Sequence, residues 1–292
     1  MKKLIPLLLC LALLLGGCGA QKTYEIAATT APVWQFARAV CDGTGLEVGL
    51  VVSDSVSCLH DYTLSVRQMV AVEKAKVVIL SGGSLEEFME DALRDKDVLI
   101  ECSGGVDLLE GEYDHEAHDH EEHDHDGEYD PHIWLDPDNA AVMIRNIADG
   151  LSALYPEYTE TFSSNAEAYC ERLAALKTAG QEALSSLACR DLITFHDGFA
   201  YFARAFDLHI LAAIEEESGS EASAKELKEL TELIRAENLP AVFVEQNGSR
   251  SAASILSRET GCAVGVLDMV MSGTDYFEAM EANIQTVKET LS

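Results

Sequence analysis

Four side chains in this sequence combine metal-donor chemistry with positions that a fold can bring together. His60 stands in Ser57-Cys58-Leu59-His60-Asp61-Tyr62, and His132 in Asp130-Pro131-His132-Ile133-Trp134-Leu135-Asp136-Pro137. His196 stands in Thr194-Phe195-His196-Asp197-Gly198-Phe199, and Asp268 closes Gly265-Val266-Leu267-Asp268. Imidazole nitrogen and carboxylate oxygen suit Zn²⁺, and a biological site usually gathers such donors from distant parts of a chain. Taken singly, each has an ordinary alternative: a histidine at a strand end is commonly a surface or capping residue, and an aspartate there commonly caps a turn or helix. Asp61, Asp136, Asp197 and Glu245 are candidates to orient the imidazoles, because a ligating histidine donates its other ring N–H to an acceptor. Each is equally readable as a cap or surface charge. His209 lies within an apolar run with no motif around it and reads as structural.

A second group of donors is of another kind. Between Asp107 and Asp130 the chain carries twelve Asp or Glu, five His and no Lys or Arg. It offers no apolar face to bury, which predicts a disordered loop. Its histidines, His115, His118, His120, His123 and His125, are spaced to bind borderline metals weakly in any conformation. A loop must lose about 1–2 kcal/mol per fixed residue when it closes on an ion. Weak auxiliary binding that collects or senses metal near the main site is therefore expected there.

The elements that must position the four donors alternate short apolar runs with helical patterns. Strands are predicted at Tyr24–Thr29, Leu46–Val52, Val77–Ser81 and Asp97–Glu101, with helices at Pro32–Val40, Leu64–Lys74 and Leu85–Leu93. The same grammar returns at Leu192–Phe195, His209–Ile214, Ala241–Glu245 and Ala263–Leu267, with helices near Gly198–Phe206, Ser223–Ala236, Arg250–Thr260 and Tyr276–Leu291. Near-continuous apolar strands separated by helices imply parallel sheets covered on both faces. Between the two halves, Asp136-Pro137 is an N-cap with proline at the first turn. It opens a helix to about Leu154, and a pattern of close to thirty residues follows Tyr155-Pro156. The expected organisation is an α/β lobe over 22–137 that includes the loop 107–130, connecting helices over 138–188, and a second α/β lobe over 189–292. Parallel sheets bind ligands outside the carboxyl ends of their strands, where three of the four donors fall.

Composition narrows the partners. A formal charge of −31 over 292 residues excludes a phosphate-binding face of the kind nucleic acid requires, and makes cations the natural ligands. Lys2-Lys3, an apolar run to Leu15 and Gly16-Gly17-Cys18 have the form of a signal peptide over 1–17 ending in a lipobox. This predicts cleavage before Cys18, lipidation of its sulfur and anchoring outside the cytoplasmic membrane, since two acyl chains hold where one only visits. The other cysteines form no CxxC pair, so a thiolate zinc site is not expected.

At these motifs the chain resembles the zinc and manganese substrate-binding lipoproteins of ABC importers. Asp130–Pro137 matches the family motif nearly letter for letter, and His196-Asp197-Gly198-Phe199-Ala200-Tyr201-Phe202 and Val242-Phe243-Val244-Glu245 are also close. The resemblance spans Tyr24 to Leu291 and implies two α/β lobes joined by a rigid helix, with the metal in the cleft. It implies His60, His132, His196 and Asp268 as the ligands, Zn²⁺ as the transported ion, an ABC permease as partner and a monomer that catalyses no reaction. The acidic, His-rich loop and the imidazole at position 196 point to the zinc branch, with manganese uptake as the alternative. An extracellular zinc buffer or adhesin is a further alternative. A zinc hydrolase fits less well, because four protein donors close the coordination sphere and neither HExxH nor a nucleophile elbow is present.

Overall fold

The computed structural model describes residues 23–53, 59, 62–110, 129–214 and 222–292. The first lobe is a parallel sheet of β1 (Ile26–Ala28), β2 (Val48–Leu50), β3 (Val77–Leu80) and β4 (Leu99–Glu101), in the order β2-β1-β3-β4. Its helices are α1 (Ala31–Val40), α2 (Val66–Lys74) and the short α3 (Glu90–Leu93). The second lobe repeats the plan with β5 (Asp191–Thr194), β6 (His209–Ala213), β7 (Ala241–Glu245) and β8 (Ala263–Leu267), in the order β6-β5-β7-β8. Between them lie α4 (Pro137–Leu154) and α5 (Thr159–Leu184), and the second lobe carries α6 (Ala200–Ala205), α7 (Ala224–Ala236), α8 (Ser251–Thr260) and α9 (Tyr276–Leu291). The alternation expected from the apolar runs is therefore the observed one.

Local chemistry explains several helix starts. Asp136 caps α4 by accepting from the Asp138 backbone N–H at 2.9 Å, with Pro137 in the first turn. Ser65 and Gln68 form a reciprocal capping box on α2, and Ser223 and Glu226 form another on α7. One expectation changes: the helix foreseen over 85–93 is a 3₁₀ turn, Leu85–Met89, followed by α3. The cause is Glu86, whose buried carboxylate accepts from Thr29 Oγ1 at 2.6 Å, Ser81 N at 2.7 Å and Gly82 N at 3.0 Å. Reaching back into the strand ends pulls its backbone to φ −90°, ψ 15°, outside the helical range.

The connection between lobes is a packed one. Twenty-six residues of α5 make a rod of about 39 Å at 1.5 Å per residue. It packs along α4 and touches α1 of the first lobe and α9 of the second. Buried side chains of α4, α5 and both lobes form one continuous apolar cluster, with a smaller cluster under α7 and α8. Near the lobe boundary Gln35 of α1 donates to Thr274 O at 2.8 Å and accepts from Tyr276 N at 2.8 Å. Among the described cysteines Cys41, Cys102, Cys170, Cys189 and Cys262 are free thiols, and burial pushes Cys41 up to about 12.

Candidate metal site

In the order β6-β5-β7-β8 the chain leaves β5 toward β6 on one side and later enters β7 on the other. That reversal opens a crevice at the carboxyl ends of β5 and β7. His196 lies on one side of it. Phe195 extends the ladder by donating to Phe243 O at 2.9 Å, and the chain then leaves the sheet. Gly198 lets the ring fold back, since a Cβ there would stand 2.6 Å from His196 Cδ2 and 2.6 Å from Met269 Cε. Glu245, the last residue of β7, lies on the other side, and pairs with Leu267 of β8.

His132 reaches the same place from the segment before α4. Its backbone N–H and its ring Nδ1 both donate to Asp130 Oδ1, at 2.9 and 2.8 Å. With Nδ1 committed as donor to a carboxylate, the neutral ring presents the Nε2 lone pair outward. That nitrogen lies 3.3 Å from Nε2 of His196, and the two rings stand nearly perpendicular, 5.0 Å between centroids. His132 is only 6% exposed. Two nitrogens each bound at 2.0–2.1 Å to one tetrahedral ion are about 3.3–3.4 Å apart, so the pair already has the spacing of one edge of a zinc tetrahedron.

Asp268 follows β8 and is fixed along its whole length. Its N–H donates to Asn283 Oδ1 at 2.7 Å, and Asn283 Nδ2 donates back to its carbonyl at 2.8 Å. Its Oδ1 accepts from Val270 N at 2.7 Å and its Oδ2 from Ser272 Oγ at 3.1 Å. This turn holds Val270 at φ +64°, a left-handed conformation that a β-branched residue rarely adopts. Trp134, fully buried, donates from Nε1 to Met269 O at 2.9 Å and ties the His132 segment to the Asp268 turn. Burial, and after it the neighbouring Asp268 charge, push Glu245 up to about 8.

The candidates sort unevenly. His132 and His196 converge, and among the described residues no three His, Cys, Asp or Glu side chains close on one point. His60 and Asp61 lie outside the described residues, as do His115, His118, His120, His123, His125 and Cys18. Asp136 is corrected as an imidazole acceptor: its carboxylate caps α4, pairs with Lys177 Nζ at 3.1 Å and stands 3.6 Å from Arg204. Glu245 Oε1 is 3.9 Å from His196 Nε2, beyond hydrogen-bond reach. Asp197 is half-buried beside His196 in the chain. Sequence reasoning missed Asp130 as the residue that fixes the His132 tautomer. The signal was present, because an Asp two residues before another residue readily accepts that residue's backbone N–H. It also missed Asn283 and Ser272, which reach Asp268 from positions that no local pattern marks.

The stem of the His-rich stretch abuts this site. Glu110 and Tyr129 form an antiparallel bridge, and Tyr201 of α6 accepts from Leu109 N at 2.9 Å while donating to Asp130 O at 3.0 Å. The stretch thus leaves and re-enters beside the acceptor of His132.

The chain is similar to known zinc-uptake and zinc-binding proteins over nearly its whole length. The family model described as ZnuA, zinc-uptake complex component A, periplasmic, matches residues 26–290. The zinc-binding lipoprotein AdcA of Streptococcus pneumoniae TIGR4 is 34% identical over 99% of this chain and 61% of its own length. A putative metal-binding protein of Treponema pallidum is 28% identical, covering 86% of this chain and 82% of that protein. The chain therefore spans about three fifths of the AdcA sequence it matches. Among solved structures, a ZnuA superposes with a TM-score of 0.79 at 28% identity over 93% of this chain and all of that one. Zn(II)-bound AdcA from Streptococcus pneumoniae gives 0.77 at 30% identity, over 92% of this chain and 58% of that one. With the family model matched from β1 into α9, this chain belongs to the ZnuA family of zinc-uptake components.

Proposed function

We propose that this protein is the extracytoplasmic zinc-binding component of an ABC importer, capturing Zn²⁺ between its lobes and releasing it to a membrane permease. The observation that carries the reading is the pair of imidazole nitrogens, Nε2 of buried His132 and Nε2 of half-buried His196, held 3.3 Å apart where the lobes meet. Hard oxygen donors would suit Mn²⁺, whereas paired imidazoles shift preference toward Zn²⁺. Zinc-binding names among the relatives and the Zn(II)-bound AdcA structure support the same ion. His60 and Asp268 are the further ligands in this reading. His115, His118, His120, His123 and His125 supply weaker auxiliary sites, and lipid on Cys18 anchors the chain to the membrane. No substrate is chemically transformed: the ion is cargo.

The test is metal analysis and chelator competition on protein prepared without a His tag. One tightly held equivalent of zinc is expected, lost in His132→Ala and in His196→Ala with the fold intact by circular dichroism. Wild-type affinity in either variant would refute the site. Deletion of residues 112–128 should lower total zinc capacity and keep the tight equivalent.

A further inference from the structure

Asp268 sits on the second lobe, but the turn that follows it is held from the first lobe as well. Residues 268–275 join β8 to α9 and include two left-handed positions, Val270 at φ +64° and Gly273 at φ +84°. Glycine adopts that conformation freely, whereas a β-branched valine persists in it only where its surroundings over-determine the backbone. Several bonds do so from within the turn. Asp268 Oδ1 accepts from Val270 N, Asp268 Oδ2 accepts from Ser272 Oγ, and Ser272 Oγ lies 2.9 Å from Thr274 Oγ1. Two further side chains reach the turn from outside the second lobe. Trp134 Nε1 donates to Met269 O. Gln35 of α1 takes the far end, donating to Thr274 O and accepting from Tyr276 N, both at 2.8 Å.

The chemistry of the Gln35 contact is specific. A carboxamide presents an acceptor and a donor side by side, so it matches a backbone carbonyl and a nearby backbone N–H at the same time. A carboxylate there would set an oxygen against the Thr274 carbonyl, and an alkyl chain would leave both backbone groups without it. Tyr276 N is the first N–H of α9 and has no partner within the helix. Beside it, the Phe36 ring of α1 packs edge-on against Tyr276 and keeps α1 against the start of α9. The contact is nonetheless open to water. Gln35 is half-buried at the margin of a groove of about 590 Å³, which Trp34, Arg38, Tyr169, Arg172 and Gly273 also line. Water in that groove competes for both bonds, so they can break and re-form by local opening without unfolding either lobe.

We infer that Gln35 is a positioning residue for metal retention: from the first lobe it latches the 268–275 turn, and through that turn it holds the Asp268 carboxylate in place for the ion. The inference rests on the reading of Asp268 as a zinc ligand. Gln35 itself touches no metal and acts by keeping the left-handed Val270 conformation closed. With the latch made, the turn cannot relax at Val270 and zinc leaves slowly. With the latch broken, the turn relaxes, Asp268 loses its alignment and the ion departs from fewer donors. The effect therefore falls on the rate of release more than on the rate of capture.

A double-mutant cycle read in the rate of zinc release tests this. Protein loaded with one equivalent of zinc is mixed with an excess of a chromogenic chelator, for the parent, Gln35→Met, Asp268→Ala and the double variant, with folding checked by circular dichroism. Gln35→Met keeps the length of the side chain and removes both bonds. It should speed release about 10- to 100-fold, the range expected of a residue that orients a ligand. In the Asp268→Ala background the same substitution should change the rate by less than about twofold, because the group it acts through is gone. An equal acceleration in both backgrounds would show a general structural effect, and an unchanged rate in Gln35→Met would show that the turn holds itself; either result overturns the inference. If Gln35→Met does not fold, Gln35→Glu enters the same cycle under the same criteria, since it keeps the acceptor for Tyr276 N and loses the donor to Thr274 O. Release unchanged by Asp268→Ala, or no tight zinc in the parent, defeats the ligand reading and this inference with it. Acceleration by Asp268→Ala without any by Gln35→Met defeats this inference alone.

Discussion

At the scale of single residues, the site depends on groups that fix which nitrogen faces the metal. Asp130 Oδ1 takes both the backbone N–H and the ring Nδ1–H of His132, so Asp130→Ala frees the ring to rotate or change tautomer. A loss of about 10- to 100-fold in zinc affinity is expected, with little change in secondary structure. Chelator competition beside circular dichroism checks it, and unchanged affinity would show that the tautomer is set elsewhere. Glu245 gives a pH dependence of a particular sign. Its folded pKa is raised to about 8, first by burial and then by Asp268. Between the ordinary glutamate range and about 8 the folded metal-free protein therefore holds a proton that the unfolded chain releases. Stability from this group is present at the acid end of that window and lost as pH rises through it. Urea unfolding of metal-free protein at pH 5 and pH 8 should show a larger fall for the parent than for Glu245→Gln, which carries no titrating proton. Equal falls would remove Glu245 as the source.

At the scale of elements, the C-terminal ends of β1 and β3 are held by one side chain from the 3₁₀ turn. Glu86 satisfies Thr29 Oγ1, Ser81 N and Gly82 N in a buried setting. Glu86→Ala would orphan three donors at about 1–3 kcal/mol each. A destabilisation of at least about 3 kcal/mol is expected from chemical denaturation. A loss below about 1 kcal/mol would mean that water replaces the carboxylate.

At the scale of the whole molecule, the lobes are coupled through a core and not through a hinge. Trp134 bonds to Met269 O through Nε1 and takes the Tyr276 hydroxyl on its own carbonyl at 2.8 Å. Phe36 of the first lobe packs edge-on against the Tyr276 ring, with 5.2 Å between centroids. With α5 touching helices of both lobes, rigid-body opening would break packed contacts, whereas hinge motion normally uses loop or element-terminal residues. Trp134→Phe removes the donor to Met269 O and leaves space behind, so a loss of about 2–4 kcal/mol is expected. The fluorescence of Trp34 in the first lobe should then shift its unfolding midpoint together with whole-chain circular dichroism. A Trp34 midpoint that stays put while ellipticity moves would show lobes that unfold independently.

The sequence by itself determined the alternation of strands and helices, because four-to-seven-residue apolar runs bounded by helical periodicity leave parallel sheets as the burial solution. It also marked His132 and His196 through their motifs, and the Asp136-Pro137 helix start through its cap. Convergence was beyond it. That His132 Nε2 and His196 Nε2 face each other at 3.3 Å depends on how α4 and α5 pack the segment before α4 against the end of β5, and no local pattern encodes that distance. The same applies to roles among the acids. Asp130, Asp136, Glu245 and Asp268 are alike as letters, yet one fixes a tautomer, one caps a helix and pairs with Lys177, one keeps an oxygen uncommitted and one anchors a turn. A carboxylate's function is set by which donors and charges surround it, and only tertiary packing chooses those neighbours.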